Sequence, residues 1–293
     1  MSSMVGLQRL PDWLRLRAPP PGAVERMGDL TAGLGLHTVC ESARCPNQGE
    51  CFAQGTATFL LLGDTCTRAC SFCAVASGHP SPPDPAEPER IVEAVRRLGL
   101  DYVVLTSVTR DDLPDGGAAH FATTIRALHA CWPSLPVEVL VPDFRGCLHA
   151  LHTVVAARPA VLAHNLETVP RLYPAVRPGA SFSGSLELLR RAGGMDAGLR
   201  TKSGLMLGLG EEGAEVLWAM AQLREAGCHC LTLGQYLQPS PRHHPVVRFV
   251  PPEEFEEYRH IAEGMGFRGV ASGPLVRSSY HAAGLLGCAR NGP

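Results

Sequence analysis

Residues 40–73 read CESARCPNQGECFAQGTATFLLLGDTCTRACSFC. This stretch carries six of the chain's eleven cysteines, in two groups of three. Cys40, Cys45 and Cys51 are spaced C-x4-C-x5-C. Cys66, Cys70 and Cys73 are spaced C-x3-C-x2-C, with Phe72 just before the last. Between them TFLLL, residues 58–62, is short, apolar and ended by Gly63, so it reads as a buried strand. The second triad then fills the loop that this strand delivers.

Three thiolates are one too few for a closed structural zinc site. They are also one short of the four cysteines that usually hold a four-iron cluster. Each group therefore borrows a ligand from elsewhere or leaves an iron open to a substrate. Free structural cysteines scatter through cores rather than gather in triads. A zinc-binding module is the main rival, because close cysteine pairs favour zinc. Disulfides fit poorly: the cysteine count is odd, no secretory signal is read, and the chain is large enough to form a core without staples. The first triad, with Pro46, Asn47 and Gly49, is expected in an irregular loop where three thiolates can converge.

The chain of 293 residues is 45% hydrophobic and carries a formal charge of −2. A sizeable core is possible, and no broad basic field points to nucleic acid. No apolar run approaches the roughly 18 residues of a membrane helix. Cysteine-rich iron chemistry needs a reducing interior, so the cytoplasm is expected. Lys202 is the single lysine among 26 basic residues. Arginine does not replace a compact ammonium at a tight site, so Lys202 is either a survivor of arginine drift or a point charge near the active site.

Outward from residue 58 the pattern repeats. YVVLTS (102–107), VEVLV (137–141), AVLAHN (160–165), SGLMLGLG (203–210) and CLTLGQY (230–236) read as strands, and GFRGVASG (266–273) as a further, irregular one. Helical stretches lie between them: Ile91, Val95 and Leu98 share one face, as do Val216, Met220 and Leu223. Gly99 and Gly227 stand where such helices stop. Alternating strands and helices argue for a parallel sheet. The expected fold is α/β, a partial (β/α)6-type TIM barrel over 58–273. An N-terminal extension, 1–57, carries the first triad, and a C-terminal segment, 274–293, closes over the barrel. Residues 1–21 read as a mature N-terminal arm, and a short helix is expected over 23–33. SGHPSPPDPAEPE (77–89) reads as a stiff exposed loop.

Polar motifs follow the strands, where barrel sites lie. Asn165 and Glu167 in HNLET suit hydrogen bonding to hydroxyls and pairing with a cation, and His164 is expected to be structural. Gly116 and Gly117 either allow close backbone approach or form a capping turn with Asp115. Asp111 and Asp112 read as binding groups or solvated charges. Arg171 or Arg177 could grip a carboxylate. His243 and His244 read as exposed loop histidines. Cys131, Cys147, Cys228, Cys230 and Cys288 read mostly as small core residues, Cys288 as exposed.

C-x3-C-x-aromatic-C after a short apolar strand resembles the signature of radical S-adenosylmethionine enzymes. The upstream triad, GTATFLLLG, LTSVTRDDLPDGGAAHF, LVPDFRG, HNLETVPRLYPAVRPGA, TKSGLMLGLGE, LTLGQYLQPS and GPLVRSSYHA together resemble the lipoyl synthases, over nearly the whole chain.

That resemblance implies insertion of two sulfur atoms, at C6 and C8 of a protein-bound octanoyl-lysine, with an auxiliary cluster as sulfur donor. It implies two [4Fe-4S] clusters and S-adenosylmethionine. Cys66, Cys70 and Cys73 would hold the cluster that binds S-adenosylmethionine. Cys40, Cys45 and Cys51 would hold the auxiliary one, with a serine of the RSSY motif as fourth ligand. Alignment on the following Tyr-His assigns that ligand to Ser279, with Ser278 second, and Arg277 would orient the motif. Gly116, Gly117, Asn165, Glu167, Lys202 and Gln235 would contact the cofactor. Implied partners are octanoylated carrier domains of 2-oxoacid dehydrogenase E2 subunits and the glycine cleavage H protein. A ferredoxin or flavodoxin donor and a cluster-repair protein are implied too. A biotin-synthase-like sulfur inserter would share the barrel and second triad, but not the first triad with RSSY.

Overall fold

Each apolar run becomes a strand in the computed structural model, which describes residues 9–15, 22–54 and 56–285. Strands β1 (Thr58–Leu61), β2 (Val103–Ser107), β3 (Val137–Leu140), β4 (Val161–Ala163), β5 (Arg200–Leu207), β6 (Cys230–Gln235) and β7 (Gly269–Gly273) pair in parallel in chain order. His37–Thr38 adds an antiparallel edge beside β1 and completes an eight-stranded sheet. The last strand is regular, and it matches β6 residue for residue from Gly269↔Cys230 to Gly273↔Gly234. The architecture is a partial (β/α) barrel.

Helices α1 (Glu87–Leu98), α2 (Ala118–Cys131), α3 (Leu148–Val155), α4 (Phe182–Met195), α5 (Gly213–Glu225) and α6 (Pro252–Gly264) lie between strands. Local signals explain their ends. In α1 a proline opens the first turn, Glu87 and Glu89 sit at the positive end of the helix dipole and Arg96 and Arg97 at the negative end. Gly99 stops it in a left-handed conformation, φ 61°. α5 opens with a capping box between Glu212 and Glu215. Its Val216, Met220 and Leu223 are buried, as are Ile91 and Val95 of α1.

One core packs β1–β4 against α1–α3, and a second packs β5–β7 against α5 and α6. β1 is buried at every position, as expected of a strand covered on both faces. The helix expected over 23–33 spans Ala23–Gly33. It packs with Cys40 and Phe52 into a smaller cluster that seats the first triad.

Several details differ from the sequence reading. The first triad is not wholly in irregular backbone: Cys40 lies in a helical turn, Val39–Ser42, and Cys51 in another, Gln48–Ala53. The proline-rich stretch is shorter than 77–89, because Ala76–Ser77 pairs with Thr65–Cys66 and α1 begins at Glu87. Cys228 and Cys230 are buried, but Cys131 and Cys147 are exposed. They sit at the end of α2 and just before α3, where each helix meets solvent. Cys288, and residues 1–8 and 16–21 of the N-terminal arm, lie outside the described residues.

The C-terminal segment crosses the mouth of the barrel. Gly234 near the end of β6 makes this possible: a Cβ there would lie 2.0 Å from the carbonyl oxygen of Val276. The adjacent Gln235 N–H donates to the Pro274 carbonyl at 3.2 Å.

Candidate active site

Beneath that crossing lies a cavity of about 380 Å³. Cys40 and Cys45 line it from the N-terminal extension, and Phe72 and Cys73 from the loop after β1. Asn165 and Glu167 line it from the end of β4, and Arg277, Ser278 and Ser279 from the C-terminal segment. Val104, Leu140, Leu205 and Met206 add apolar wall.

The upstream cysteines are gathered by short-range backbone bonds and by burial. Cys45 N–H donates to the Cys40 carbonyl at 2.9 Å, and Cys51 N–H to the Asn47 carbonyl at 2.9 Å. Burial pushes the Cys40 thiol up to about 12 and Cys51 up to about 11. Neighbouring thiols of the triad push both in the same direction. Such a site resists thiolate charge until a metal supplies the opposite one. The extension is fastened to the C-terminal segment at two points. Asn47 donates through Nδ2 to the Leu275 carbonyl at 2.7 Å. Tyr280 Oη donates to Glu50 Oε1 at 3.0 Å.

The downstream loop is stitched to its neighbours. Cys66 Sγ accepts from the backbone N–H groups of Thr109 at 3.3 Å and Arg68 at 3.4 Å. Burial pushes Cys73 up to about 12 and also raises Cys70, where Arg177 and Arg68 pull the other way. Ser71 N–H donates to the Val176 carbonyl at 3.0 Å.

Asn165 joins the barrel mouth to the C-terminal motif. Its Nδ2 donates to Glu167 Oε1 at 3.0 Å and to Ser278 Oγ at 2.6 Å. Its Oδ1 is buried without a hydrogen-bond partner. Glu167 is held in a left-handed conformation, φ 66°, rare for a residue with a side chain. Hydrogen bonds on both sides fix it: its N–H donates to Gly204 O at 3.0 Å, and its carbonyl accepts from Met206 N–H at 2.8 Å. Burial raises its carboxyl above the usual range, against the pull of Arg177 and Asn165. Arg277 is half-buried, and burial holds it below its usual value while Cys45 pulls it upward.

Residues 60–223 match the family described as the Radical SAM superfamily. The lipoyl synthase of Methylococcus capsulatus is 60% identical over 275 residues, covering 94% of this chain and 85% of its own. The lipoyl synthase of Caldanaerobacter subterraneus subsp. tengcongensis is 54% identical, covering 96% and 99%. The lipoyl synthase of Geobacter sulfurreducens is 55% identical, covering 98% and 94%. The chain belongs to the lipoyl synthases. These matches do not favour a biotin-synthase-like enzyme or a zinc module. Solved structures agree on the fold alone. HydG, a maturase of the [FeFe]-hydrogenase, superposes with a TM-score of 0.56 at 17% identity, covering 72% of this chain and 50% of its own. Streptococcus suis SuiB bound to precursor peptide SuiA gives 0.52 at 11% identity, covering 70% and 44%.

The remaining candidates separate by position. Gly116 and Gly117, with φ of 61° and 89°, form the turn before α2. Asp115 accepts from Gly117 N–H at 2.9 Å and Ala119 N–H at 2.7 Å, and a Cβ on Gly117 would lie 2.3 Å from Leu62 Cδ1. The pair thus serves a cap and a tight packing contact. Gln235 lines the cavity, yet its side chain is engaged with backbone: Oε1 accepts from Val250 N–H at 2.8 Å, and Nε2 donates to Tyr236 O at 2.9 Å and Arg248 O at 3.1 Å. Lys202 is buried on β5, its Nζ 2.7 Å from Glu138 Oε1, and Glu138 forms part of the cavity wall. Tyr102 Oη donates to the other oxygen, Glu138 Oε2, at 2.6 Å.

Arg171 turns away to an exposed ion pair with Glu215, whereas Arg177 donates to the Asn165 carbonyl at 2.8 Å. His164 is buried between the Val141 carbonyl and Ser185 Oγ, and burial lowers it to about 4. His243 and His244 brace the downstream loop: His243 Nε2 lies 3.0 Å from the Cys73 carbonyl, and His244 N–H donates to Ser71 O at 2.8 Å. Proline spacing alone gave no sign of that contact. Asp111 is no free loop charge, since it grips Arg68, and Arg68 carried no local signal.

Among the described residues, no three His, Cys, Asp or Glu side chains converge tightly enough for a single metal ion. A four-iron cube places each thiolate on a different iron, so its ligands stand farther apart than those of one ion. The donor set suits such a cube: the six cysteines of the two triads are free thiols, and Asn165 Oδ1 is left buried without a partner in the same cavity wall. Among the described residues no helix is long and apolar enough to cross a membrane.

Proposed function

We propose that this chain converts a protein-bound octanoyl-lysine into lipoyl-lysine, using both triads around one cavity. Cys66, Cys70 and Cys73 hold one four-iron cluster. When bound there, that cluster would supply the electron for reductive cleavage of S-adenosylmethionine. The other cluster, on Cys40, Cys45 and Cys51, is a substrate: it gives up sulfur to the product. A serine of RSSY completes its ligation, Ser279 in the first instance and Ser278 in the second. The acyl chain loses one hydrogen at C6 and one at C8 and gains sulfur at both.

The observation that carries this reading is the shared wall. Cys40 and Cys45 face the same cavity as Cys73 and the RSSY serines. An alkyl radical must meet its sulfur before another group quenches it, so proximity is the main requirement. The protein's own task is placement. Glu167 supplies a carboxylate for the cofactor's ammonium, and Asn165 an amide for its ribose or carboxylate. The apolar wall of Leu140, Leu205 and Met206 receives the acyl chain and keeps water out. Lys202 acts through Glu138, its partner on the wall, and Gly116, Gly117 and Gln235 act by shaping backbone.

The acyl substrate is carried on a lipoyl domain, such as that of an E2 subunit or H protein. A low-potential donor of the ferredoxin or flavodoxin kind and a cluster-repair protein complete the cycle, in the cytoplasm. Anaerobic incubation with octanoyl-lysyl peptide, S-adenosylmethionine and reductant tests the reading. The product should gain two sulfur atoms, with no net change in hydrogen as the dithiol and two hydrogens fewer once oxidised to the disulfide. A peptide of unchanged mass alongside full S-adenosylmethionine cleavage would refute sulfur insertion.

A further inference from the structure

Arg68 lies inside the downstream cysteine loop, between Cys66 and Cys70. Its guanidinium makes two forked contacts. Nε and Nη2 donate to Asp111 at 2.7 and 2.9 Å, and Nη1 and Nη2 to Asp143 at 2.7 and 2.8 Å. The three side chains are 14%, 31% and 16% exposed, so water competes weakly for these bonds. Asp111 follows β2 and Asp143 follows β3, so one side chain ties together the loops after three consecutive strands. Burial opposes charge on Arg68, but the two carboxylates overturn it and hold the guanidinium more firmly protonated than usual. Burial likewise works against ionised Asp143, and Arg68 outweighs it.

The fork sits in a wider lattice. Thr67 N–H donates to the Thr109 carbonyl at 3.0 Å, and Asp111 N–H to Thr67 Oγ1 at 3.1 Å. Asp143 also accepts from Arg145 N–H at 3.0 Å, across a turn in which Phe144 and Arg145 both have positive φ. The outcome of this registration is at Cys66, whose Sγ accepts from Arg68 N–H and Thr109 N–H. The two donors come from two of the three loops that the fork joins, those after β1 and β2. Backbone N–H groups aimed at a ligand sulfur stabilise the electron-rich cluster and raise its potential.

We propose that Arg68, clamped by Asp111 and Asp143, is a positioning residue that holds two backbone N–H donors on Cys66 Sγ and so sets the electron affinity of the downstream cluster. Lysine cannot substitute, because an ammonium group lacks the planar fork that meets two carboxylates at once. This rests on the downstream triad being the cluster that binds S-adenosylmethionine.

The test compares wild type, Arg68→Lys and Asp143→Asn as full-length, anaerobically cluster-loaded protein. Hydrogen exchange is read over residues 64–78 and 105–117, and the midpoint potential from the electron-spin signal that changes on adding S-adenosylmethionine. In both variants exchange over 64–78 should accelerate by about tenfold or more, the loss expected for charge-assisted hydrogen bonds. Helices α5 and α6 should keep their protection. In Arg68→Lys, which keeps the charge, the midpoint should move to a more negative value. Loss of downstream iron with α5 and α6 still protected would also support the clamp. Wild-type exchange together with a wild-type midpoint in both variants would overturn it. If either variant unfolds globally, Asp111→Asn, altering the most exposed of the three, decides on the same two readings. Wild-type protein lacking any signal responsive to S-adenosylmethionine would instead sink the assignment of the triad, and exchange in the cluster-free chain would then decide the clamp alone.

Discussion

Asn165 and Ser278 are 113 residues apart in the chain and 2.6 Å apart in space. The same Nδ2 reaches Glu167, so one amide connects the barrel mouth, its buried carboxylate and the RSSY segment. Asn165→Ala removes both bonds. A net hydrogen bond is worth about 1 kcal/mol, so amide exchange in residues 274–285 should rise by roughly fivefold. Binding of S-adenosylmethionine should weaken in the same variant. Unchanged exchange would show that the segment is held by its other contacts, those of Asn47, Glu50 and Gln235.

The two serines are separable. Ser278 Oγ is bound by Asn165, whereas Ser279 makes no side-chain hydrogen bond among the described residues. Ser279→Ala should therefore lower retention of upstream iron and leave S-adenosylmethionine cleavage intact. Iron analysis of Ser278→Ala and Ser279→Ala side by side checks this. Loss confined to Ser278→Ala would transfer the ligand to Ser278.

Glu167 predicts a pH dependence of known sign. Burial raises its carboxyl, so the folded cluster-free chain binds that proton more tightly than the unfolded chain. Its contribution to stability is full below the ordinary carboxylate range and is lost as pH rises through the folded value. Glu167→Gln escapes this loss. Urea midpoints should show the variant gaining on wild type from acid to neutral pH, while its affinity for S-adenosylmethionine falls. A wild type that gains on the variant over that range contradicts the assignment.

Lys202 and Glu138 form an ion pair with each side chain 2% exposed. Removing one partner leaves a buried charge, so Lys202→Met should cost about 3–5 kcal/mol. The double variant Lys202→Met/Glu138→Leu should recover much of it. Urea denaturation measures both. A loss under about 1 kcal/mol for Lys202→Met would mean that water reaches Glu138.

Much of this was legible in the sequence, for physical reasons. TFLLL was legible as a strand because a β-branched residue leads four consecutive apolar ones and Gly63 ends the run. The triads stood out because six of the eleven cysteines gather within 34 residues, and thiolates are the usual ligands of iron–sulfur clusters. The helical turns around Cys40 and Cys51 were not: helices of four and six residues are held by tertiary contact rather than by periodicity. Nor was the Arg68 fork, whose partners lie 43 and 75 residues away. The seating of His243 on the Cys73 carbonyl spans 170 residues and left no local pattern. Lys202 stood out by its rarity, but only packing revealed Glu138 as its partner.

The division of labour between the triads is tested most directly by Cys45→Ala and Cys66→Ala, each incubated anaerobically with octanoyl-lysyl peptide, S-adenosylmethionine and reductant. The measurement is 5′-deoxyadenosine and peptide mass from the same reaction. Cys66→Ala should yield neither cleavage nor product. Cys45→Ala should yield 5′-deoxyadenosine and no sulfur-bearing peptide. Lipoyl product from Cys45→Ala would contradict the account.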